Sequence, residues 1–347
     1  YYNIGKVRWA GAFSQLEYAS DDITAFVQVG ISQQGFKRID PFNYLDSDPE
    51  RETSWQNFVG GNIKGGVNWN INENHNVFVN MGDYSRQPFI DAVFQNYRND
   101  INQNARNEKV AGFELGYGYT SEKLRANVNV YRTEWKDRFK TVGFRDGSVR
   151  GTADLQGIKQ LHTGIELDFT YDLSDSFRLV GMASVGDWEY AGNVSGTAFD
   201  DVDAVGTVTL YLDGVKVGNS AQTTARLGFD WDVVGNFKVD YSHRYAARLY
   251  ADINTEDFDS EVNNGSLQLP NYFLGDLGMS YKFDFKDSSN LKFRLNVNNV
   301  GNTEYIAESL TNNFVESGDD SYRWINTNNK AFFGFGTTWN FTARYSF

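Results

Sequence analysis

The stretch 331-AFFGFGTTWNFTARYSF-347 closes the chain and alternates between two kinds of side chain. Counting back in twos from Phe347, the mainly apolar set is Tyr345, Ala343, Phe341, Trp339, Thr337, Phe335 and Phe333. Successive side chains of a strand point to opposite faces, so the stretch predicts a strand with one aromatic and one polar face. A soluble strand usually has about 5–6 residues, whereas about 10 tilted residues cross a bilayer within a barrel. The length and the alternation together predict a strand with lipid on one side and a polar lumen on the other.

The composition of the whole chain fits this prediction. Aromatic residues make up 16% of the 347 residues, yet the mean hydropathy is −0.52, so apolar rings are dispersed among polar residues. We find no run of 18 apolar residues, which predicts no membrane-spanning helix but permits a barrel, whose strands have weak individual hydropathy. The 33 Gly and only 4 Pro are typical of many strands joined by tight turns.

Charge and residue usage argue against several classes of function. A net charge of −13 disfavours a nucleic-acid partner, because neutralising phosphates requires a basic surface. The lack of Cys excludes disulfides, zinc–thiolate sites and a cysteine nucleophile. His75, His162 and His243 lie on separate segments without the spacing of metal ligands, so we predict no metal site among them. Nucleophile-elbow and phosphate-loop motifs are missing from the sequence, and we predict that the protein is not an enzyme.

The two-residue period recurs along the chain and predicts thirteen strands. Their predicted ranges are 12–18, 23–36, 56–70, 76–86, 107–120, 123–136, 161–172, 176–190, 221–233, 236–250, 271–285, 290–304 and 331–347. Short turns alternate with long polar loops at 37–55, 87–106, 137–160, 191–220, 251–270 and 305–330. The loop 191–220 also carries Asp213-Gly214 between apolar triplets, which predicts a two-residue hairpin there.

This asymmetry predicts an all-β, antiparallel transmembrane β-barrel with a periplasmic rim of short turns and an exterior rim of long loops. If the C-terminus is periplasmic, an odd number of strands places Tyr1 on the exterior rim. We therefore expect residues 1–347 to be the C-terminal portion of a larger barrel. A soluble all-β sandwich or propeller is the alternative, but its strands are shorter and its turn signals recur every 8–12 residues or so.

Five stretches, in order, resemble the barrel of TonB-dependent outer-membrane receptors. They are 84-YSRQPF-89, 107-NEKVAGFELGY-117, 128-VNVYRTEWKD-137, 163-TGIEL-167 and 296-NVNNVGNTEY-305, and the closing strand with its terminal Phe347 follows them. The resemblance covers residues 55–347, and its style is most similar to receptors of Bacteroidetes-type bacteria.

The resemblance implies that these are the last thirteen strands of a 22-stranded barrel in the outer membrane of a Gram-negative bacterium. It implies a plug domain and a TonB-contacting segment, neither of which we find within 1–347, and it marks Phe347 as a membrane-insertion signal. The implied partners are the periplasmic TonB complex, outer-membrane lipids and a small-molecule ligand, with a surface lipoprotein as a further candidate. The implied function is active uptake of a scarce nutrient, with an iron chelate (siderophore) as the first expectation.

Polar-face residues at the exterior ends of strands are the predicted ligand contacts. They are Tyr84, Arg86, Trp188, Arg244, Arg248 and Tyr250. Arginines attract carboxylate- or catecholate-bearing chelates through charge-assisted bonds, and flat rings stack on sugars or aromatic chelators.

Acidic clusters in the long loops are candidate calcium sites, because carboxylates suit this cation. They comprise Asp46, Asp48, Glu50 and Glu52; Asp200, Asp201 and Asp203; Glu256, Asp257, Asp259 and Glu261; and Glu316, Asp319 and Asp320. Solvated loop charge is the alternative interpretation, and we expect no other cofactor.

Three functions remain open from the sequence. The first is an energised receptor for an iron chelate, for vitamin B12, or for a carbohydrate or other nutrient. The second is a passive porin-like channel, and the third is a soluble lectin-like binding protein.

Overall fold

A computed structural model describes residues 2–200, 203–286 and 289–347. Two residues named in the sequence analysis lie outside the described residues. They are Tyr1, which was expected on the exterior rim, and Asp201, which belongs to one of the acidic clusters. The described residues form 21 strands, two short helices and a 3-10 turn at Pro49–Arg51. In chain order the strands and helices are β1 (Ile4–Ala19), β2 (Ile23–Ile39), β3 (Gln56–Asn70), β4 (His75–Arg86), α1 (Ile90–Val93), β5 (Phe94–Gln95), β6 (Asp100–Ile101), β7 (Glu108–Thr120), β8 (Leu124–Asp146), β9 (Val149–Ser174), β10 (Phe177–Tyr190), β11 (Val194–Phe199), β12 (Ala204–Leu210), β13 (Thr223–Val234), β14 (Phe237–Ala247), α2 (Thr255–Phe258), β15 (Tyr272–Asp284), β16 (Asn290–Asn298), β17 (Ile306–Ser309), β18 (Ser321–Tyr322), β19 (Ile325–Asn326), β20 (Ala331–Phe333) and β21 (Thr338–Ser346).

Thirteen long strands form one antiparallel sheet, in the order β1-β2-β3-β4-β7-β8-β9-β10-β13-β14-β15-β16-β21. Each strand pairs with the next long strand in the chain, which confirms the predicted up-and-down arrangement. The short turns use local side-chain bonds: Ser20 Oγ accepts from the Ile23 N–H, and Ser121 Oγ accepts from the Leu124 N–H, both at 3.1 Å. In the described part of the chain, β1 and β21 each pair on one side only, so the sheet is open.

The strand register collects the apolar side chains on one face of the sheet. Directly paired residues share a face, and Trp339 lies beside Val297 while Phe341 lies beside Leu295. The same face continues across the sheet through pairs such as Leu167 with Ala183. Its large side chains are uncovered, which is the pattern of a barrel wall that meets lipid. This result confirms the predicted aromatic face.

The opposite face is polar and bonded from strand to strand. Asn296 donates to Asn340 at 2.9 Å, and the Arg294 guanidinium binds both oxygens of Asp240 at 2.9 and 3.0 Å. Bidentate bonds of this kind fix neighbouring strands and leave a hydrophilic inner surface. Within the described residues, no helix is both long and apolar enough to cross a membrane.

The prediction of a loop at 137–160 is wrong, because this segment extends the β8–β9 hairpin beyond the rest of the sheet. Pairing continues from Lys140 opposite Leu155 to Asp146 opposite Val149. The hairpin turns at Gly147, whose φ of 58° is in the left-handed region that glycine adopts readily. The dipeptide Asp146-Gly147 is a hairpin signal that could have revealed this extension.

The loop 191–220 contains a hairpin in a different place from the predicted one. The turn at Asp213-Gly214 forms, with the Val215 N–H donating to the Leu212 carbonyl at 2.9 Å. Its flanks do not pair with each other; the hairpin is β11–β12, and β11 adds to the outer part of β9. Leu212 and Val215 are instead buried in a hydrophobic cluster, which decides where this part of the loop lies.

We call this cluster the outer core. It lies at the long-loop end of the sheet, between the outer parts of β8, β9 and β10 and the long loops. Its members are Val142, Ala153, Leu155, Ile158, Tyr190, Val194, Ala198, Leu210, Leu212, Val215, Ile253 and Phe258. Four separate stretches of the chain contribute to it, so the outer core holds the long loops together by burying apolar surface.

The predicted closing strand is two strands. β20 pairs with β17, whereas β21 pairs with β16. Between them the Gly334 N–H donates to the Tyr305 carbonyl at 2.9 Å, and Thr337 Oγ1 donates to the Asn299 carbonyl at 2.7 Å. The alternation continues through this break, so the periodicity alone could not show it.

Candidate functional site

The six predicted contact residues lie toward the long-loop end, but the fold does not bring all six together. Arg248 donates to the Gly186 carbonyl at 2.8 Å, so the segment after β14 meets the end of β10, which carries Trp188. Tyr84 and Arg86 lie on β4. Three strands, β7, β8 and β9, separate β4 from β10, which carries Trp188. Tyr250 forms an isolated bridge with Gln268, within the long loop that follows β14.

The three predicted arginines are each paired with a carboxylate of the protein. Arg86 lies 3.5 Å from Glu108, Arg244 lies 2.8 Å from Asp276 and Arg248 lies 3.2 Å from Asp187. The Arg86 guanidinium also lies over the Phe89 ring, 4.4 Å from its centroid. Carboxylate partners this close offset most of the attraction for an anionic ligand, because the ligand must compete with them.

Trp188 belongs to a rigid aromatic group on the polar face. Its ring stacks on His162 with centroids 5.3 Å apart, and its Nε1 donates to Tyr131 Oη at 2.9 Å. Gln222 fixes the Trp188 main chain at both ends, accepting from its N–H at 3.0 Å and donating to its carbonyl at 2.8 Å. A side chain at Gly186 would place its Cβ 2.5 Å from Trp188 Nε1, so this ring requires the glycine. Gly186-x-Trp188 is the signal in the sequence for this close approach.

A cleft beside the extended hairpin was missed by the sequence analysis. It has a volume of about 680 Å³ and lies between the outer part of β8, the segment 252–256 and residues 310, 311 and 330. Lys140 closes one side by binding Asp252 through both carboxylate oxygens, at 2.5 and 2.6 Å. Thr255 Oγ1 donates to the Gly143 carbonyl at 2.9 Å and ties the facing segment to the hairpin.

Among the described residues, three cations on this cleft pair with no carboxylate. Arg145, Arg150 and Lys330 line the cleft, and they form no ion pair within the part of the chain that the structure describes. Arg145 is directly opposite Arg150 in the hairpin. Like charges at paired positions are destabilising, so an anion that binds both guanidinium groups would remove an unfavourable interaction. The two arginines flank the Asp146-Gly147 turn, which is the signal that could have placed them together.

The acidic clusters serve largely to fix the loops. Asp46 binds Arg51 at 2.9 Å, Glu52 binds Lys37 at 2.6 Å, and Asp319 accepts from the Glu316 N–H at 2.9 Å. Among the described residues, no three His, Asp or Glu side chains converge in a way that could hold a metal ion. Calcium binding by these clusters stays a prediction.

A sheet of thirteen long strands with an uncovered apolar face and a hydrogen-bonded polar face defines an outer-membrane β-barrel protein. The family profile described as "TonB dependent receptor-like, beta-barrel" matches residues 1–300, and the chain belongs to this family. The resemblance seen in the sequence is thereby confirmed, as is the location in the outer membrane of a Gram-negative bacterium. The Bacteroidetes-type origin stays a prediction.

Solved structures share the fold at low sequence identity. The chain is similar to "Copper transporter OprC", with 15% identity and a TM-score of 0.67 over 98% of this chain and 49% of that one. It is similar to the siderophore receptor PiuA from Acinetobacter baumannii, with 14% identity and a TM-score of 0.67 over 98% of this chain and 43% of that one. It is also similar to the ferric citrate transporter FecA in the unliganded form, with 15% identity and a TM-score of 0.64 over 98% of this chain and 45% of that one. The chain thus spans less than half the length of these proteins. No curated protein sequence matches it significantly.

Proposed function

We propose that this chain is the barrel portion of a receptor that imports an anionic iron chelate across the outer membrane. The observation that carries the proposal is the cleft with Arg145, Arg150 and Lys330, whose charges have no partner in the described chain. The cleft lining carries Lys140, Arg145, Arg150 and Lys330 against the carboxylates of Asp252 and Glu256, so it is cationic in a chain whose net charge is −13. Such a patch raises the local concentration of an anion and speeds its association. Iron chelates bearing carboxylates or catecholates carry the required charge.

The coupling of capture to transport is inferred from the family. A barrel of about 22 strands, as the resemblance implies, is an open channel unless its lumen is blocked, so a plug is needed to make it selective. The outer membrane has no ATP, and energy for release toward the periplasm would come from a periplasmic partner. The TonB complex is the partner that the family supplies. In this scheme the protein binds and transports, and none of its residues is assigned a catalytic role.

The six residues predicted from the sequence would form the inner part of the ligand path. Trp188 offers a fixed ring for stacking, supported by Tyr131 and His162, while the paired Arg86, Arg244 and Arg248 brace the polar wall. Tyr84 and Tyr250 would add ring and hydroxyl contacts. This aromatic group also favours a second candidate function, the import of an oligosaccharide, because sugars stack on such rings.

Removal of the two arginines tests the proposal. We expect Arg145→Gln with Arg150→Gln to lower the uptake of a ferric anionic chelate about 10-fold or more, since a charge-assisted bond contributes about 1.5–3 kcal/mol. Ferric citrate labelled with radioactive iron is the anionic probe, a ferric trihydroxamate is the neutral one, and a maltooligosaccharide tests the second candidate. Uptake is measured in a deletion strain that carries the complete gene. The matched control is Lys123→Gln with Arg125→Gln, which removes two charges at the short-turn end.

Each outcome distinguishes the candidates. Uptake of ferric citrate that stops when an uncoupler collapses the proton gradient supports active import, whereas uptake that continues unchanged indicates a passive channel. Import of the oligosaccharide alone would favour the second candidate. If the strain gains neither iron nor glycan, or if the two double variants behave alike, the proposed function is wrong.

Phe347 gives a separate prediction about assembly. Phe347 is fully exposed and follows β21 beyond the last paired residue, Ser346, where an assembly factor could bind it. We expect Phe347→Ser to lower the amount of heat-modifiable, folded barrel in outer membranes. Phe335→Ser, at an exposed ring inside the chain, is the control. Equal yields from the two variants would remove the assigned role of Phe347 in insertion.

A further inference from the structure

A small polar cavity at the long-loop end is separate from the cationic cleft. It has a volume of about 240 Å³ and lies between β9, β11, β12 and the segment 95–106. Thr197 of β11 is directly opposite Asp154 of β9, and Thr207 of β12 is directly opposite Thr197, so one face of three adjacent strands lines the cavity. Gln156 and Ser195 belong to the same lining. The wall is polar, with hydroxyl, amide and carboxylate groups and one guanidinium.

Two oxygen atoms of this wall are buried without a hydrogen-bond partner among the described residues. Asp154 is only 6% exposed; its Oδ1 accepts from Thr141 Oγ1 at 2.7 Å, while its Oδ2 meets no hydrogen-bond partner in that part of the chain. Gln156 donates through Nε2 to the Asp137 carbonyl at 2.9 Å, which leaves its Oε1 without a partner. Buried polar atoms are rarely left unpaired, so each such atom requires an explanation.

The carboxylate of Asp154 also forms no ion pair with a described cation. Arg106 lies on the cavity wall, but its Nε binds Asp137 at 2.7 Å, so that its charge is already paired. Within the described residues, no Lys or Arg forms an ion pair with Asp154. A buried carboxylate in this situation either stays protonated or binds a cation.

We propose that this cavity binds one partly hydrated divalent cation, with Asp154 Oδ2 and Gln156 Oε1 as its protein ligands. Calcium and magnesium prefer oxygen ligands, and magnesium in particular retains several waters when one or two carboxylates bind it. The cavity exceeds the size of a bare ion, and the hydroxyls of Ser195, Thr197 and Thr207 are placed to accept hydrogen bonds from the retained waters. The side-chain amides of Gln95, Asn102 and Asn104 line the same cavity, so the retained waters would connect the cation on β9 to the segment 95–106 as well as to β11, and the bound ion would stabilise the folded loops. This inference is independent of the proposed function.

The test is equilibrium dialysis with radioactive calcium, and with magnesium as competitor, on the complete protein purified in detergent. We expect one saturable site in the wild-type protein and at least 10-fold weaker binding in Asp154→Asn, which keeps the shape of the side chain and removes its charge. Gln156→Glu is expected to bind more tightly, because it adds a second carboxylate. Glu261→Gln removes an exposed charge from an acidic loop cluster and is expected to bind like the wild type.

A second measurement addresses the structural effect of the ion. Calcium is expected to protect the segment 95–106 from limited proteolysis in the wild-type protein and in Glu261→Gln, but not in Asp154→Asn. If the wild-type protein shows no saturable binding at millimolar calcium, the cavity holds only water and the proposal is wrong. Binding that Asp154→Asn leaves unchanged while Glu261→Gln weakens it would place the ion on the acidic loop cluster instead.

Discussion

Leu167→Arg is expected to destabilise the folded barrel by about 2–4 kcal/mol, the cost measured for arginine on the lipid face near the bilayer midplane. Leu167 lies in the middle of the apolar face of β9, is 43% exposed, and is paired with Ala183. Arginine at this position would place a guanidinium among hydrocarbon tails, where polar partners for its five donors are scarce. The measurement is urea unfolding of the protein folded in phospholipid vesicles, followed by tryptophan fluorescence and gel mobility.

The matched control places the same residue on the other face at the same depth. Ser184 is next to Ala183 on β10 and is paired with Glu166, so Ser184→Arg projects into the polar side beside a carboxylate. We expect this variant to unfold within about 0.5 kcal/mol of the wild type, as substitutions away from critical contacts usually do. Equal destabilisation by the two variants would contradict the assignment of the lipid face. A larger loss of stability in Ser184→Arg than in Leu167→Arg would indicate that the polar face, and not the apolar face, meets lipid.

Phe258→Ala is expected to destabilise the outer core by about 3–5 kcal/mol, the range for deleting a buried phenylalanine ring. Phe258 is fully buried and packs among side chains from the β8–β9 hairpin and the loop 191–220. Since the outer core lies at the long-loop end of the sheet, the loss should appear as local opening of the long loops while the barrel strands remain folded. Hydrogen exchange followed by mass spectrometry is the measurement, with faster exchange expected in 138–158 and 194–217.

The control for this change is Val262→Ala in the same loop. Val262 is 90% exposed, so its truncation removes almost no buried area and should leave exchange unaltered. The cleft should also lose affinity for its anion in Phe258→Ala, because the segment 252–256 forms one of its walls. If the two variants exchange at the same rate, the outer core does not hold the loops. If barrel strands open together with the loops, the two parts form one cooperative unit.

Residues with a repeating local pattern could be assigned without the structure. The predicted strand 221–233 is an example, because Ala225, Leu227, Phe229 and Trp231 alternate with polar residues and so predict both a strand and its lipid face. Segments with a weaker pattern were assigned incorrectly, as at 137–160, where charged residues interrupt the apolar positions of a real hairpin. The break between β20 and β21 could not be predicted, because the alternation of apolar and polar residues continues through it unchanged.

The sequence by itself determined the thirteen-strand sheet and the side that each strand turns to lipid, because a period of two residues is a local property of every segment. It indicated the family through a separate signal, the five stretches between residues 84 and 305 that resemble TonB-dependent receptors. Only the tertiary structure showed which positive charges are free to bind an anionic ligand. Arg86, Arg244 and Arg248 are paired with carboxylates from other strands or strand ends, whereas Arg145 and Arg150 lie opposite each other and pair with no carboxylate of the described chain. Charge pairing and burial depend on contacts between residues from distant parts of the chain, and a local sequence pattern does not predict such contacts.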